Sequence, residues 1–277
     1  MSLVSYFEYP KDIWPNVVWR FPKNRSQKKH CFVIGAPRSG TTLLQIILAA
    51  HSKFGACEGE TAVFTLQNLF DLRRRHGGLS ATEITDLFNC SMDIVTFFDN
   101  LAEVILRRSG GARFVEKTPQ HVFRLRNLTE WYPQAQFVNI YRDGRDCFCS
   151  AKNHPDVPQG VGVKRFASYW RKCILARLRM GQHTRILDVK YEEFTAEPDK
   201  YTRKIMRFLG EAFEPQQLDA SIYGRDKRSY SKQFALIAEP VTIKRQNRWR
   251  AEMTDMEVAI FNKVAGEELR LLGYSVE

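Results

Sequence analysis

Residues 31–42 (CFVIGAPRSGTT) begin as a short apolar run and continue as a loop of small and hydroxyl-bearing residues. Gly35 and Gly40 can adopt backbone conformations that are closed to other residues, so several backbone N–H groups can converge on one point. A helix that begins near Thr41 directs the positive end of its dipole at that same point. The pattern therefore predicts an anion-binding cradle in which Arg38 is the cation.

The cradle differs at one position from GxxxxGK[ST], the phosphate loop of nucleotide hydrolases. Thr41 stands where that loop has its lysine. Kinases and ATPases use the lysine on the terminal phosphates and the following Ser or Thr on Mg²⁺, and no carboxylates for Mg²⁺ can be assigned in this sequence. A nucleotide kinase or ATPase is therefore the alternative interpretation, together with a nucleotide-binding protein that has no turnover.

A second basic site follows residues 136–141 (QFVNIY), a continuous apolar run typical of a buried parallel strand. Arg142 should emerge at the carboxyl edge of the sheet, where open α/β sheets bind their ligands. Ser150 lies a little over two helical turns further on, so the guanidinium and the hydroxyl could bracket one phosphate. Arg145 is predicted instead to lie in a solvated turn with internal salt bridges.

Both sites resemble those of the sulfotransferase superfamily. Residues 36–44 (APRSGTTLL) are similar to its loop for the 5′-phosphosulfate, and Arg142 with Ser150 is similar to its pair for the 3′-phosphate. The resemblance implies that 3′-phosphoadenosine 5′-phosphosulfate (PAPS) is the co-substrate, that adenosine 3′,5′-bisphosphate (PAP) is the product, and that no metal is needed. The loop residues that it assigns to the donor are Pro37, Arg38, Ser39, Gly40, Thr41 and Thr42.

The same resemblance implies further contacts with the donor. Tyr191 follows the strand predicted at residues 185–190 and matches a Tyr-Glu element beside the adenine, although core packing explains this side chain equally well. Lys244 and Arg248 stand in a basic loop, residues 223–250, that resembles the family's C-terminal segment over the nucleotide.

The catalytic residues are inferred from two family patterns. Cytosolic sulfotransferases place a histidine two residues after a lysine, but Pro119 stands at that position after Lys117, and His121 is predicted to lie on a helix surface. Residues 50–61 resemble instead the segment that carries a catalytic Glu in heparan-sulfate and protein-tyrosine sulfotransferases, where Glu60 is the best match.

The resulting hypothesis gives the reaction a base and two cations. Glu60 would remove the acceptor proton, while Lys117 and Arg38 would stabilise the negative charge that develops near the bridging oxygen. Glu58 and Glu116 are the competing carboxylates. The acceptor is a hydroxyl of a carbohydrate, a peptide tyrosine or a small metabolite, and the sequence leaves open whether the acceptor is anionic and whether the protein forms a homodimer.

Strands that alternate with helical segments predict one α/β domain over residues 1–277, a three-layer αβα fold with a mostly parallel, P-loop NTPase-like sheet. The predicted strands are residues 31–34, 114–117, 136–141 and 185–190. The predicted helices are residues 41–50, 89–106, 121–132, 165–179, 199–209 and 255–272. Residues 1–30 form an N-terminal arm, 61–112 a helical insert on the acceptor side, and 223–250 the basic loop over the donor.

Composition limits the partners. The net charge is +11, from 42 basic and 31 acidic residues, which favours an anionic partner. Because the basic residues carry no nucleic-acid-binding motif, a compact anion fits better than DNA or RNA.

Six cysteines show no metal-binding spacing and are expected to be buried, reduced thiols. Without a secretory signal or a run long enough to span a bilayer, the expected location is the cytoplasm.

Overall fold

A computed structural model describes residues 17–57, 59–65, 78–152, 154, 157, 160–219 and 245–276. The strands are β1 (Cys31–Gly35), β2 (Phe54–Ala56), β3 (Arg113–Lys117), β4 (Gln136–Tyr141) and β5 (Ile186–Lys190). They form one sheet in the order β2-β3-β1-β4-β5, and every pairing is parallel.

The helices connect these strands and close the chain. They are α1 (Thr41–Ala49), α2 (Ala81–Asn89), α3 (Ile94–Ser109), α4 (Leu125–Trp131), α5 (Gly144–Ala151), α6 (Val163–Leu178), α7 (Tyr191–Ala196), α8 (Pro198–Leu209), α9 (Trp249–Glu252) and α10 (Asp255–Leu271). Two 3₁₀ segments, Pro119–Arg124 and Pro215–Leu218, complete the described elements. None of the helices within the described ranges is long and apolar enough to cross a membrane.

The sheet buries both of its faces. Phe32 and Ile34 of β1 pack in the core cluster that includes residues of α3, α6 and α10, whereas Cys31 and Val33 pack in the cluster with residues of α1 and α8. Because successive side chains of a strand point to opposite faces, a strand covered on both sides must be apolar throughout. The predicted three-layer α/β fold is confirmed.

The region between β1 and β3 differs most from the sequence prediction. The helix predicted over 89–106 is α3 but begins later, at Ile94, because the Asp93 carboxylate accepts hydrogen bonds from the N–H groups of Val95 (3.1 Å) and Thr96 (2.8 Å) and thereby caps its first turn. Strand β2 was not predicted. It has three residues with a central glycine, which is too short for a periodic signal.

The sheet order brings the predicted site residues to one edge. From β1 the chain continues to β2 and β3 on one side and then crosses to β4 and β5 on the other, so β1 is a topological switch point. The cradle follows β1, Lys117 ends β3, Arg142 follows β4 and Tyr191 follows β5. Four loops from four neighbouring strands therefore meet at the carboxyl edge.

Candidate active site

The loop between β1 and α1 has the backbone of an anion cradle. Gly40 (φ 104°) caps α1 in the left-handed region, and Arg38 (φ 67°) occupies that region without being glycine. A Cβ on Gly40 would lie 2.5 Å from the Tyr191 ring, and one on Gly35 would overlap the carbonyl oxygen of Ile140. The first turn of α1 carries no acidic residue. Its unpaired N–H groups are therefore available to an anion.

The hydroxyl residues of the loop lie at different depths. Ser39 is fully buried and donates a 2.7 Å hydrogen bond to the carbonyl of Ala36, which closes the turn. Pro37 and Thr41 are also buried, whereas Thr42 is half-buried. Ser39 thus supports the loop conformation through its side chain and offers an incoming anion only its backbone.

Arg38 connects the cradle to the second basic site. Its Nε donates a 3.1 Å hydrogen bond to Oγ of Ser150, on α5. Burial lowers the pKa of Arg38, and the positive charge of Arg142 acts in the same direction while the Glu60 carboxylate opposes it. The guanidinium groups of Arg38 and Arg142 therefore lie close together, which favours an anionic ligand.

Arg142 is buried directly beside the cradle. Its guanidinium lies 4.5 Å from the centre of the Tyr191 ring, and one of its terminal nitrogens donates to the carbonyl of Arg245. It also pairs with Asp146 at 3.4 Å. Its Nε is buried and has no hydrogen-bond partner among the described residues. A buried donor without a partner is costly, so a bound acceptor would stabilise this arrangement.

Tyr191 packs in the core, which is one of the two roles predicted for this side chain. It is 6% exposed and belongs to the core cluster on the α1 and α8 side of the sheet. Its ring lies against Gly40 and beneath Arg142. The same side chain therefore joins both predicted phosphate sites, and its contact with the adenine stays a prediction.

Glu60 and Lys117 lie together although 57 residues separate them. Nζ of Lys117 donates a 3.0 Å hydrogen bond to Oε1 of Glu60. The Lys117 side chain is only 6% exposed, whereas that of Glu60 is 38% exposed. Lys117 ends β3 opposite Val33 of β1, so the pair lies at the same edge as the cradle. The Glu60 carboxylate is therefore open to solvent beside a buried ammonium group.

The competing carboxylates differ in position. Glu58 lies outside the described residues. Glu116 is fully buried, and burial raises its pKa to about 7. It accepts hydrogen bonds from the hydroxyls of Thr61 (3.0 Å) and Thr118. An acceptor arriving from solvent could not reach this carboxylate.

The prediction of a surface position for His121 is wrong. The segment after β3 turns back as a 3₁₀ helix against β1, which leaves the ring fully buried, 5.2 Å from the centre of the Phe64 ring. Burial, together with the charge of Arg124, lowers the pKa of His121 to about 3. The histidine is therefore neutral at physiological pH and remote from solvent.

Arg145 was predicted to lie in a solvated turn, and it is 1% exposed. The internal salt bridge is present: Arg145 donates to both oxygens of Asp143 at 3.0 and 2.7 Å. Its guanidinium also lies 3.8 Å from the centre of the Trp249 ring. The turn is not solvated because the short helix α9, distant in sequence, covers it.

Asp146 is a residue of the site that sequence reasoning missed. Its two oxygens accept hydrogen bonds from the backbone N–H groups of Asn247 (2.8 Å) and Trp249 (3.0 Å). It thereby fixes the C-terminal segment beside Arg142. The spacing of four residues between Arg142, just before α5, and Asp146, in its first turn, is the signal that could have found this pair.

Of the basic loop predicted over residues 223–250, the part before Arg245 lies outside the described residues. Lys244 lies outside the described residues. Arg248 pairs with Glu252, one turn further on, at 2.7 Å. The backbone of Arg245, one residue after Lys244, reaches Arg142. Contacts of Lys244 and Arg248 with the donor stay predictions.

The expectation that all cysteines are buried is nearly met. All six are free thiols, and five are buried, whereas Cys90 is exposed at the end of α2. In the part of the chain that the structure describes, no group of three or more His, Cys, Asp or Glu side chains could hold a metal ion.

The sheet edge, the cradle and the second basic site agree with one family. The profile described as "Sulfotransferase family" matches residues 31–215, from the start of β1 to the beginning of the second 3₁₀ segment. The chain belongs to the sulfotransferase family. Membership identifies it as a sulfotransferase enzyme, as the resemblance in the sequence implied.

Curated relatives agree with this membership. The sulfotransferase chain is 24% identical over 264 residues to protein-tyrosine sulfotransferase 1 of Danio rerio. This match covers 88% of the present chain and 71% of the relative. Its matches span 65%, 62% and 51% of the length of three other relatives. This chain therefore corresponds to between about half and seven tenths of each of these proteins.

Solved sulfotransferase structures share the fold. A sulfotransferase domain from the curacin biosynthetic pathway has a TM-score of 0.67 at 16% identity and covers 92% of this chain and all of that one. A mouse sulfotransferase complexed with PAP has a TM-score of 0.54 at 15% identity, with 89% and 86% coverage. At these identities the likeness concerns the fold alone.

Proposed function

We propose that this sulfotransferase moves the sulfuryl group of PAPS to a hydroxyl of an acceptor. The observation that carries the proposal is the hydrogen bond from Arg38 to Ser150, which joins the cradle to the site of Arg142. Two separate phosphate groups on one nucleotide would use two such neighbouring sites. PAP in the mouse sulfotransferase of the same fold supports this choice of donor.

The residues present fit the donor. The cradle has the two glycines that close approach requires, and the Arg38 guanidinium is hydrogen-bonded to a hydroxyl. Arg142 keeps one buried donor without a protein partner in the described ranges. In this proposal the cradle residues and Arg38 hold the 5′-phosphosulfate, while Arg142 and Ser150 hold the 3′-phosphate.

In the proposed mechanism, Glu60 takes the proton from the acceptor hydroxyl while the oxygen of that hydroxyl forms a bond to the sulfur of PAPS. The bond between sulfur and the 5′-phosphate oxygen breaks at the same time, and PAP carries away the electron pair. Lys117 and Arg38 neutralise the charge that develops on the phosphate side. Lys117 is held by β3 and is almost completely buried, so little reorganisation accompanies the reaction.

The acceptor that we propose to test first is a tyrosine hydroxyl in a peptide. The support is the name of the relatives, which are protein-tyrosine sulfotransferases. Carbohydrate hydroxyls and small phenols are the other members of the class. All three would present their oxygen to the exposed face of Glu60.

The donor is tested by calorimetric titration with PAP and, separately, with ATP and Mg²⁺. We expect PAP to bind and ATP with Mg²⁺ to bind at least about tenfold more weakly, since each factor of ten needs only 1.4 kcal/mol of discrimination. Tighter binding of ATP with Mg²⁺ would contradict the proposal and favour a kinase or ATPase.

Transfer is tested with ³⁵S-labelled PAPS and three acceptors: a tyrosine peptide, an oligosaccharide and 2-naphthol. Labelled product from any of them supports the proposal. Binding of PAP without transfer to a broad set of hydroxyl acceptors would contradict it and indicate a nucleotide-binding protein without turnover.

A further inference from the structure

Four polar side chains form a buried cluster beneath the pair of Glu60 and Lys117. The members are Thr61, Glu116, Thr118 and His121, each at most 1% exposed. Oε1 of Glu116 accepts hydrogen bonds from both threonine hydroxyls and lies 3.4 Å from Nδ1 of His121. None of the four side chains can touch solvent, and none has a role in the proposed mechanism.

The cluster is bonded to the two residues that follow Glu60. The hydroxyl of Thr61 donates to Glu116, and the N–H of Ala62 donates a 3.0 Å hydrogen bond to the hydroxyl of Thr118. Ala62 has φ 53°, in the left-handed region, which an alanine adopts only where its surroundings hold it. The hydrogen bond of its N–H supplies part of that restraint.

The side chain of Glu60 has little else to hold it. It is 38% exposed, and its hydrogen bond in the described part of the chain is the one with Lys117. An ion pair of this exposure fixes a side chain weakly, because solvent screens it and two flexible chains must be ordered. A base must nevertheless be held to a fraction of an ångström to act efficiently.

We propose that Glu116 and Thr118 are positioning residues for Glu60. Glu116 orients the hydroxyls of Thr61 and Thr118, and these fasten the turn at residues 60–62 to the end of β3, next to Lys117. The inference rests on Glu60 being the base. Burying a carboxylate costs free energy, so an apolar residue would serve a purely structural site better than Glu116 does.

The test is a four-member cycle made of the wild type, Thr118→Val, Glu60→Gln and the double variant. Turnover is measured with ³⁵S-labelled PAPS and the fastest of the three acceptors named above. Valine keeps the shape of threonine but cannot accept the hydrogen bond of Ala62. We expect Thr118→Val to lower kcat by about 10- to 100-fold, the range for misplacement by up to an ångström. The affinity for PAP should change less than about twofold, because the cradle is untouched.

The cycle separates positioning from general destabilisation. If Thr118 acts only through Glu60, Thr118→Val should cause almost no further loss in the Glu60→Gln protein. An equal loss in both backgrounds, or no loss in either, would overturn the inference. Normal turnover of Glu60→Gln alone would overturn the proposed base and with it this inference, so the two failures are distinguishable.

Four further variants guard against misfolding. Thr118→Ser keeps the hydroxyl and should restore most of the turnover that the valine variant loses. Glu116→Gln keeps an oxygen that can accept both threonine hydroxyls and should keep most of the turnover, whereas Glu116→Leu removes that acceptor and should lower kcat in the wild type but not in the Glu60→Gln protein. Thr202→Val is the matched control, since Thr202 is buried in α8 and its hydroxyl has no hydrogen-bond partner in the described ranges. Loss of turnover in this control comparable to that of Thr118→Val would count against the inference.

Discussion

Nε of Arg38 donates a 3.1 Å hydrogen bond to Oγ of Ser150, across 112 residues of sequence. Arg38 belongs to the cradle after β1, and Ser150 to the helix that follows Arg142. This contact makes the two basic sites one continuous surface along the carboxyl edge of the sheet. Two separated anionic groups of one ligand would therefore lie side by side along this edge.

Replacement of Arg142 by Ala should weaken PAP binding by about 10- to 100-fold, because hydrogen bonds to charged groups contribute about 1.5–3 kcal/mol each. Calorimetric titration with PAP measures the change. Arg142→Lys should recover only part of the affinity, since a lysine lacks the planar pair of donors. The control is Arg177→Ala, which removes a bidentate pair with Asp188 outside the proposed phosphate sites. Unchanged PAP affinity in Arg142→Ala would remove this residue from the 3′-phosphate site.

Gly40→Ala should weaken both folding and PAP binding. The added Cβ would meet the Tyr191 ring at 2.5 Å, and the backbone at φ 104° is unfavourable for alanine. Gly78→Ala is a matched control, because Gly78 also has a positive φ (83°) but no atom within 4 Å of the added Cβ. Both variants should lose about 1–2 kcal/mol of stability from the backbone, measured by urea unfolding. Only Gly40→Ala should lose affinity for PAP, and equal behaviour of the two proteins would show that the contact with Tyr191 is unimportant.

Glu60→Gln should lower kcat by about 10²- to 10⁴-fold, the usual contribution of a general base. The affinity for PAP should stay within about twofold of the wild type, because Glu60 is not among the proposed ligands of the donor. Steady-state assays with labelled PAPS and direct titration with PAP give the two quantities. The matched control is Glu130→Gln, at a surface ion pair with Arg25. A kcat close to that of this control would exclude Glu60 as the base.

His121→Phe should make the protein less sensitive to acid. The pKa of His121 is about 3 in the folded protein against an ordinary value of 6.5, since burial disfavours the charged ring. Between these two pH values the unfolded chain binds a proton that the folded protein does not, so the wild type loses stability as the pH falls from 6.5 towards 3. The phenylalanine variant lacks this loss.

The measurement for His121 is the free energy of unfolding in urea at pH 7 and pH 4.5. Burial raises the pKa of Glu116 to about 7, so over this interval Glu116 favours folding as the pH falls, opposite in sign to His121. Because Glu116 lies 3.4 Å from His121, the comparison is made with Glu116→Gln in both proteins, and the difference between their pH dependences then reports on His121. Identical pH dependences would show that His121 does not remain neutral in the folded state.

The local features of the fold could be predicted because they depend on neighbouring residues. The apolar run of β1, the glycine positions of the cradle and the strand before Arg142 each have a pattern within a dozen residues. These patterns also place Lys117 at the end of a strand and Arg142 and Tyr191 directly after strands, and the sheet order brings all three to a common edge. By contrast, β2 has too few residues to show a period, and the start of α3 depends on a cap at Asp93.

The amino-acid sequence by itself determined that this protein has a glycine-rich loop without the lysine of nucleotide hydrolases, a second basic segment after a buried strand and a parallel α/β fold. Only the tertiary structure decided that Arg38 reaches Ser150, that Glu60 pairs with Lys117, and that His121 and Arg145 are buried. The reason is physical. Backbone conformation and strand pattern depend on residues close in sequence, whereas burial and pairing depend on which distant elements cover a side chain.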